Sequence, residues 1–469
     1  MTTASRANDS MTHRRSGAMR APQSSPRDQA VGRRDLPQST RMLRLTTTLI
    51  VVNLHIISNL TALAPIYYVT YAIIVGVVLG DFFASRPYRQ WSHKNYLPIW
   101  FVLLVTGTIA SLATISTTGS AYGAIRFLFA VPIYLALIAY IRTVDDLVAG
   151  ARRATYLFAF AVLAIPVQVV TGTISWFREE SERGEFARYA SLLGGLNAAG
   201  GTSGVFIVLC QLIPGWRRWA LAGVIAGSVA MDLSKSSIVS GGVGLLVLAF
   251  FNARKFGTLL AGCALSAAAI WAMFTAVPAA RLRLETALIS FGIRSEHRLR
   301  NSDAQVNESA LDRLTNIPLQ NIENWLSLPG QLKYVFGGGF GMASTALVPR
   351  SDSLSGMAHN QFVEILTVWG PLGALLLFSV FVAVTVLLAS RYPSEDARTS
   401  TIRNVFFWAF ALLMGRFLFA NGSLYHPASA TPLFLCLTAA TLLSHGRVKR
   451  RSRPPYTARS GAATRLPAS

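Results

Sequence analysis

The sequence predicts an all-α, polytopic integral membrane protein with about twelve transmembrane helices and one large extracytoplasmic loop. Three observations carry that reading. Of 469 residues, 52% are hydrophobic and only 14% charged, whereas a soluble domain carries about a quarter charged residues. The apolar residues gather in runs of about 17–25, the length that crosses a bilayer as a helix. The connections between those runs alternate in charge as the positive-inside rule requires.

The expected spans cover residues 43–60, 64–84, 96–116, 121–141, 154–174, 196–214, 217–232, 236–252, 256–277, 365–390, 402–420 and 427–444. With the N-terminus inside, the even-numbered connections should be basic. They hold Arg86, Arg89 and Lys94; Arg142, Arg152 and Arg153; Arg217 and Arg218; Arg254 and Lys255; and Arg391, Arg398 and Arg403. The first apolar run starts too late and is too long for an ordinary signal peptide, so it reads as a span. The organisation is then a basic cytoplasmic tail (1–42), nine spans (43–277), a large extracytoplasmic loop (278–358), three spans (359–445) and a second basic tail (446–469).

A net charge of +22 would suit a nucleic-acid partner, but its distribution argues otherwise. Residues 1–44 carry nine Arg against three Asp, and residues 446–469 carry seven Lys or Arg and no acid, so the two tails hold +13 of the total. Both are rich in Ser, Pro, Ala or Gly, as disordered tails are, and such tails suit anionic lipid. No nucleic-acid partner is expected. Cys210, Cys263 and Cys436 all lie in apolar runs with no metal spacing and no disulfide framework, so they read as small buried residues.

Two outer segments are long. One, near 175–195, reads SWFREESERGEFARYASLLGG; the other, 278–358, is nearly neutral, with eight Lys or Arg against seven Asp or Glu. A loop of that second length is well beyond the usual and tends to be functional. Within it, SALDRLTNIPLQNIENWLSL has helix-like apolar spacing at Leu311, Leu314, Ile322 and Leu326. That pattern predicts an amphipathic helix on the outer membrane face or over a cavity.

Among seven histidines, His13, His93 and His445 fall in or near cytoplasmic segments, and His55 lies inside the first span beside Asn53 and Asn59. His297, His359 and His426 are on the outer side, and of these only His359 leads directly into a span. That helix runs inward, so the positive end of its dipole faces the outer surface. Such an end favours a bound phosphate and disfavours imidazolium, which keeps His359 neutral and able to accept a proton. Asn360 and Glu364 are four apart on one face, placed to orient each other or a sugar hydroxyl; a polar helix cap without chemistry accounts for them equally well. The run Gly337-Gly338-Gly339-Phe340-Gly341 would present consecutive backbone N–H groups as an anion nest. Cationic candidates are Arg188, Lys235, Arg313 and Arg416, the last inside a span, where a charge either faces a cavity or partner or snorkels outward, here toward Asn421. There is no Walker A motif, GxSxG elbow or HExxH helix, and no outer Asp-x-Asp pair; Asp145 and Asp146 are adjacent and on the inner side.

These features together resemble the O-antigen ligase and polymerase superfamily. The likeness is specific over about residues 336–375, in FGGGFG and AHNQFVEILTVWGPLG, with Gly339 and Gly341, His359-Asn360, and Gly370 with Gly373 at the matching positions. RYASLLGGLNAAG is a looser match that brings in Arg188 and Asn197. LSKSSIVSGGVG places Lys235 where the family usually has arginine, and lysine lacks arginine's bidentate grip on phosphate. The resemblance implies a helical bundle of the type shared by lipid-linked sugar transferases. It also implies metal-independent, cofactor-free transfer of a polyprenyl-diphosphate-linked glycan onto a sugar hydroxyl at the outer face of a bacterial cytoplasmic membrane. His359 would act as base or sugar-binding group. Arg188, Asn197, Lys235, Arg313, Gly339, Gly341, Asn360, Glu364 and Arg416 would bind substrate. Partners would be the lipid-linked donor, a glycan or lipid-glycan acceptor, membrane lipids and other polysaccharide assembly proteins. The rival expectations are a flippase for lipid-linked glycans and a non-catalytic component of an assembly complex.

Overall fold

The computed structural model describes residues 36–54, 56–57, 60, 62–84, 96–112, 117–171, 181–183, 186–194, 198–231, 235–252, 275, 316–342, 360–390, 395–419 and 424–444. The chain divides into two units, 1–37 and 38–469. The first falls almost wholly outside the described residues, as do the second basic tail, nearly all of the span expected over 256–277, and much of the loop 278–358.

The helices are α1 (Gln38–Asn53), α2 (Ala64–Ala84), α3 (Leu97–Leu112), α4 (Thr117–Phe129), α5 (Val131–Tyr140), α6 (Val144–Val162) and α7 (Ala164–Thr171). After them comes an antiparallel hairpin of β1 (Ser181–Arg183) and β2 (Phe186–Arg188), in which Ser181 pairs with Arg188. This hairpin is the one departure from all-α among the described residues. The chain continues with α8 (Ala198–Leu209), α9 (Arg217–Met231), α10 (Lys235–Asn252), α11 (Asn316–Ser327) and α12 (Lys333–Phe336). It ends with α13 (Gln361–Ala389), α14 (Ala397–Phe417) and α15 (Pro427–Ser444).

Among the described residues, five segments are long and apolar enough to cross a membrane: Ala64–Ala84, Gly119–Tyr140, Val144–Thr171, Gln361–Ala389 and Pro427–Ser444. Helices also stand at the other expected spans within the described residues, but they are shorter or more polar. α3 is apolar with 16 residues, and α14 carries Arg398, Arg403 and Arg416. The outward faces suit lipid. On α2, Ile66, Val69, Ile73 and Phe83 are all well exposed, whereas soluble surfaces rarely carry apolar patches of this extent.

α15 is the centre of the bundle: every residue from Pro427 to Leu443 is buried. Its PASATPLFLCLTAATLLS sequence has no polar face, as expected of a helix surrounded on all sides, and its small Ala, Ser and Thr residues let neighbours approach closely. Polar clusters tie the other helices at their ends. Asp146, fully buried, accepts from Gln38 Nε2 (2.8 Å), Arg41 Nη2 (3.0 Å) and the Arg142 N–H (3.1 Å). Asp81 on α2 accepts from Tyr140 (2.7 Å) and pairs with Arg44. Cys210 and Cys436 are buried free thiols.

α11 forms within the stretch expected to be amphipathic; of the expected stripe Ile322 is half-buried, but Leu326 is not on the buried side. Pro318, Asn321 and Trp325 point inward while Leu326 is exposed; Leu311 and Leu314 lie outside the described residues. Indole is the largest apolar side chain in the segment, so packing selects Trp325 over the leucine stripe. Lys333 then folds back and donates to the carbonyls of Leu326 and Leu328, a cation placed at the negative end of α11.

The long α13 is two helices joined at a break. Gly370 has φ 67° and ψ −174°, non-helical values, and Pro371 follows it. Proline has no N–H and clashes with the carbonyl four residues back, so the Thr367 carbonyl loses its helical partner, and the turn at Gly370 frees the Val368 carbonyl as well. Both are recaptured by the glycine-rich run: Gly338 N–H donates to Thr367 O (2.8 Å) and Gly339 N–H to Val368 O (2.9 Å). The next donor, Phe340 N–H, goes to Ser111 Oγ (2.7 Å). A buried polar backbone is thereby satisfied at the one place where the helix cannot do it.

Candidate functional site

The polar end of the bundle is built where the start of α13, the end of α14, the 424–426 connection and the start of α15 converge. Asn360 is the N-cap of α13, and its Oδ1 accepts from the N–H groups of Phe362 (3.0 Å) and Val363 (3.2 Å). Gln361 and Glu364, one and four residues further on, are buried. Glu364 lies in the first helical turn, where a carboxylate is favoured by the dipole. Phe362 meets Phe417 edge-on with ring centroids 6.0 Å apart, which brings α13 to the last turn of α14.

Arg416 occupies that last turn. Its Nη1 donates to Ser429 Oγ at the start of α15, and its Nε is shut from solvent with no hydrogen-bond partner among the described residues. No carboxylate pairs with it among those residues. Gly201 on α8 makes this placement possible: a Cβ there would stand 2.5 Å from Arg416 Nε. The result is a guanidinium held between three helices with no carboxylate partner among the described residues. An ionisable group in such a setting is costly and ordinarily faces a ligand or a cavity.

Tyr425, in the connection, is wholly buried and stacks on Trp369 with centroids 6.0 Å apart. Its hydroxyl has no hydrogen-bond partner among the described residues. Burial, and after it the nearby Glu364 carboxylate, raises its pKa well above the ordinary tyrosine value, so the group stays a neutral O–H donor. Tyr425→Phe should therefore leave the melting temperature of the solubilised protein unchanged or raised. It relieves a desolvation penalty on the order of 1 kcal/mol. A fall in melting temperature would mean that the hydroxyl has a partner.

Of the expected site residues, Asn360, Glu364 and Arg416 stand at this end together. Asn360 is a cap through its Oδ1, and two of the N–H groups expected to await a phosphate are taken by that oxygen. The anion nest expected of the glycine run is corrected: the N–H groups of residues 338, 339 and 340 are all taken within the fold. Gly339 has φ 73° and backs onto Ser111, where a Cβ would come within 2.3 Å of the backbone nitrogen. Gly341 belongs to the short 3₁₀ turn Phe340–Met342 that follows. The run thus meets α13 at Thr367–Gly370, about two turns beyond Asn360. It braces the stretch of α13 that holds Trp369, on which Tyr425 stacks. His359, Asn197 and Arg313 lie outside the described residues, as do the side chains of Arg188, which ends β2, and Lys235, which begins α10.

Tyr425, Ser429 and Gly201 were not singled out in the sequence. A signal for the first two was present: NGSLYHPAS is a short polar connection between apolar runs that begins five residues after Arg416. Gly201 had none, since its importance lies in what it does not fill. Among the described residues no three His, Cys, Asp or Glu side chains gather to hold a metal ion.

What this end can do chemically follows from its parts. A fixed guanidinium suits a phosphate or diphosphate oxygen. A buried carboxylate and a neutral phenol suit sugar hydroxyls. Compared with known proteins, the chain matches no family model and no curated protein.

Proposed function

We propose that the chain is a metal-independent glycosyltransferase that moves a glycan from a polyprenyl diphosphate onto a sugar hydroxyl at the outer face of a bacterial cytoplasmic membrane. It would act as an O-antigen or exopolysaccharide ligase or polymerase. The observation that carries this reading is Arg416, a partly buried guanidinium at the convergence of α8, α14 and α15 with no carboxylate partner among the described residues. It lies at the same end as the Asn360 cap that follows His359 in the chain.

In the reaction, the acceptor oxygen bonds to the anomeric carbon of the donor as the bond from that carbon to the diphosphate oxygen breaks. The acceptor proton passes to a base, for which His359 is the candidate, and the electron pair leaves on the diphosphate. Charge therefore grows on the leaving group, and a preorganised cation is worth most there. Arg416 supplies that cation, with Arg188, Lys235 and Arg313 as further candidates. Asn360 Nδ2, the Glu364 carboxylate and the Tyr425 hydroxyl are suited to hold sugar hydroxyls.

A flippase for the same lipid is the second reading, and the break at Gly370-Pro371 favours it, because transporters bind substrate at discontinuous helices. Such sites offer the unwound carbonyls to the cargo. Here the Thr367 and Val368 carbonyls are closed off by Gly338 and Gly339, which favours the transferase.

The test uses purified protein with a lipid-linked donor and an acceptor. Wild type should release polyprenyl diphosphate with formation of a glycosidic bond. His359→Ala should reduce release by a factor of about 10²–10⁴, the usual contribution of a general base, with donor binding retained. Unchanged turnover in that variant would remove His359 as base. Passage of lipid-linked glycan across a vesicle bilayer without bond formation would establish the flippase instead.

A further inference from the structure

We infer that the groove between α1 and α6, far along the chain from the polar end described above, binds a phospholipid with an anionic phosphate headgroup through Arg153. The two helices run side by side in register. They are pinned first by Gln38 and Arg41 on Asp146. One turn on, Gly150 lies close to Leu45, whose Cδ2 would stand 3.1 Å from a Cβ there. Beyond these contacts a groove of about 320 Å³ opens between Leu49 and Ile50 on α1 and Arg153, Tyr156, Leu157 and Phe160 on α6.

Its walls are apolar, and Ile50, Tyr156 and Phe160 are substantially exposed. Thr46 and Arg153 differ in what they can offer a ligand. The Thr46 hydroxyl already donates to Met42 O (2.7 Å), whereas Arg153 Nη1 is shut from solvent with no partner among the described residues. The neighbouring Arg152 is not equivalent, since its Nε donates to Leu212 O (2.6 Å). Arg153 therefore brings an unpartnered guanidinium nitrogen to an apolar groove.

Distance along α6 fits a lipid. Arg153 belongs to the basic connection Arg142, Arg152 and Arg153, which the charge pattern puts at the cytoplasmic surface. Phe160 is seven residues further into the span, about 10 Å along a helix. A phosphate at Arg153 thus has its acyl chain directed along Tyr156, Leu157 and Phe160 toward the bilayer core. Arginine suits phosphate because its planar donors match the oxyanion and it is less strongly hydrated than lysine. A free phosphate would leave the apolar walls uncovered, and a second copy of the chain would bring no charge complementary to Arg153 from its own lipid-facing apolar surface.

The experiment is a lipid titration of the full-length, detergent-solubilised protein followed by native mass spectrometry, with phosphatidylglycerol and phosphatidylcholine as probes. The expected result is preferential retention of phosphatidylglycerol. Arg153→Ala should weaken phosphatidylglycerol about fivefold, the effect of one basic residue near an anionic surface, and leave phosphatidylcholine unchanged. Ile50→Trp, which fills the groove and leaves Arg153 in place, should weaken both lipids. Equal binding of the two lipids, undiminished phosphatidylglycerol binding in monodisperse Arg153→Ala, or competition by glycerol 3-phosphate alone would overturn the inference. So would a protein dimer in place of the lipid adduct. If Arg153→Ala does not elute as a single species, Ile50→Trp decides: undiminished lipid binding in that variant rejects the groove.

Discussion

Arg416→Ala should weaken binding of a polyprenyl diphosphate donor by about 10- to 100-fold, the loss of a charge-assisted hydrogen bond worth roughly 1.5–3 kcal/mol. Binding is the right readout, because the residue's setting predicts opposite effects on ligand and fold. Among the described residues the guanidinium donates through Nη1 to Ser429 Oγ, and its Nε has no partner. A buried charge without compensation is a stability cost. Removing it should leave the melting temperature unchanged or raised even as donor affinity falls, the stability–function trade-off of a preorganised site. Arg416→Lys should keep the charge but lose the planar donor pair, giving intermediate affinity. A folded Arg416→Ala variant with full donor affinity would remove the residue from the site, and with it the observation on which the transferase reading rests.

Gly370→Ala should prevent accumulation of folded protein. The φ 67° and ψ −174° of Gly370, like the φ 80° and ψ −166° of Gly337, fall in a backbone region that is essentially reserved for glycine. Sterics make the same demand. A Cβ on Gly370 would come within 2.4 Å of Gly337 N and 2.5 Å of Val335 O, and one on Gly337 within 2.4 Å of Gly370 N. Neither contact is to the end of a flexible side chain, so relief requires moving one backbone off the other. That movement would also break the bonds from Gly338 and Gly339 that satisfy Thr367 and Val368. Strain and orphaned carbonyls together should cost at least about 3 kcal/mol. Membrane-fraction yield and size-exclusion behaviour measure this directly. Normal yield and an unshifted melting temperature for Gly370→Ala would show that the two segments do not dock as described.

The glycine-rich run was legible in the sequence as important, but its purpose was not. Consecutive glycines announce close approach or positive φ, and both occur here. Whether the approaching group is a phosphate or another stretch of backbone depends on what the fold brings opposite. The break at Gly370-Pro371, some thirty residues downstream, leaves the Thr367 and Val368 carbonyls for the run to meet. Asn360 is a parallel case: an amide before an apolar helix can cap or can bind, and the geometry commits its Oδ1 to the cap. In α11 the apolar spacing located the helix correctly, yet the choice of Trp325 over Leu326 as the buried residue came from the surface against which the helix packs.

What the sequence by itself determined was the class of molecule. Apolar runs of membrane length, sparse charge and basic alternate connections are properties of the chain that no packing changes, and five segments meet the length and composition of a span. It also singled out Asn360, Glu364 and Arg416 one by one as residues worth watching. Only the tertiary structure decided that they belong to one polar end, that Tyr425, Ser429 and Gly201 belong there too, and that α15 is the centre of the bundle. The physical reason is that these are relations between segments distant in the chain. A guanidinium is uncompensated only once every neighbour is known, and an all-apolar helix reads the same whether lipid or protein surrounds it.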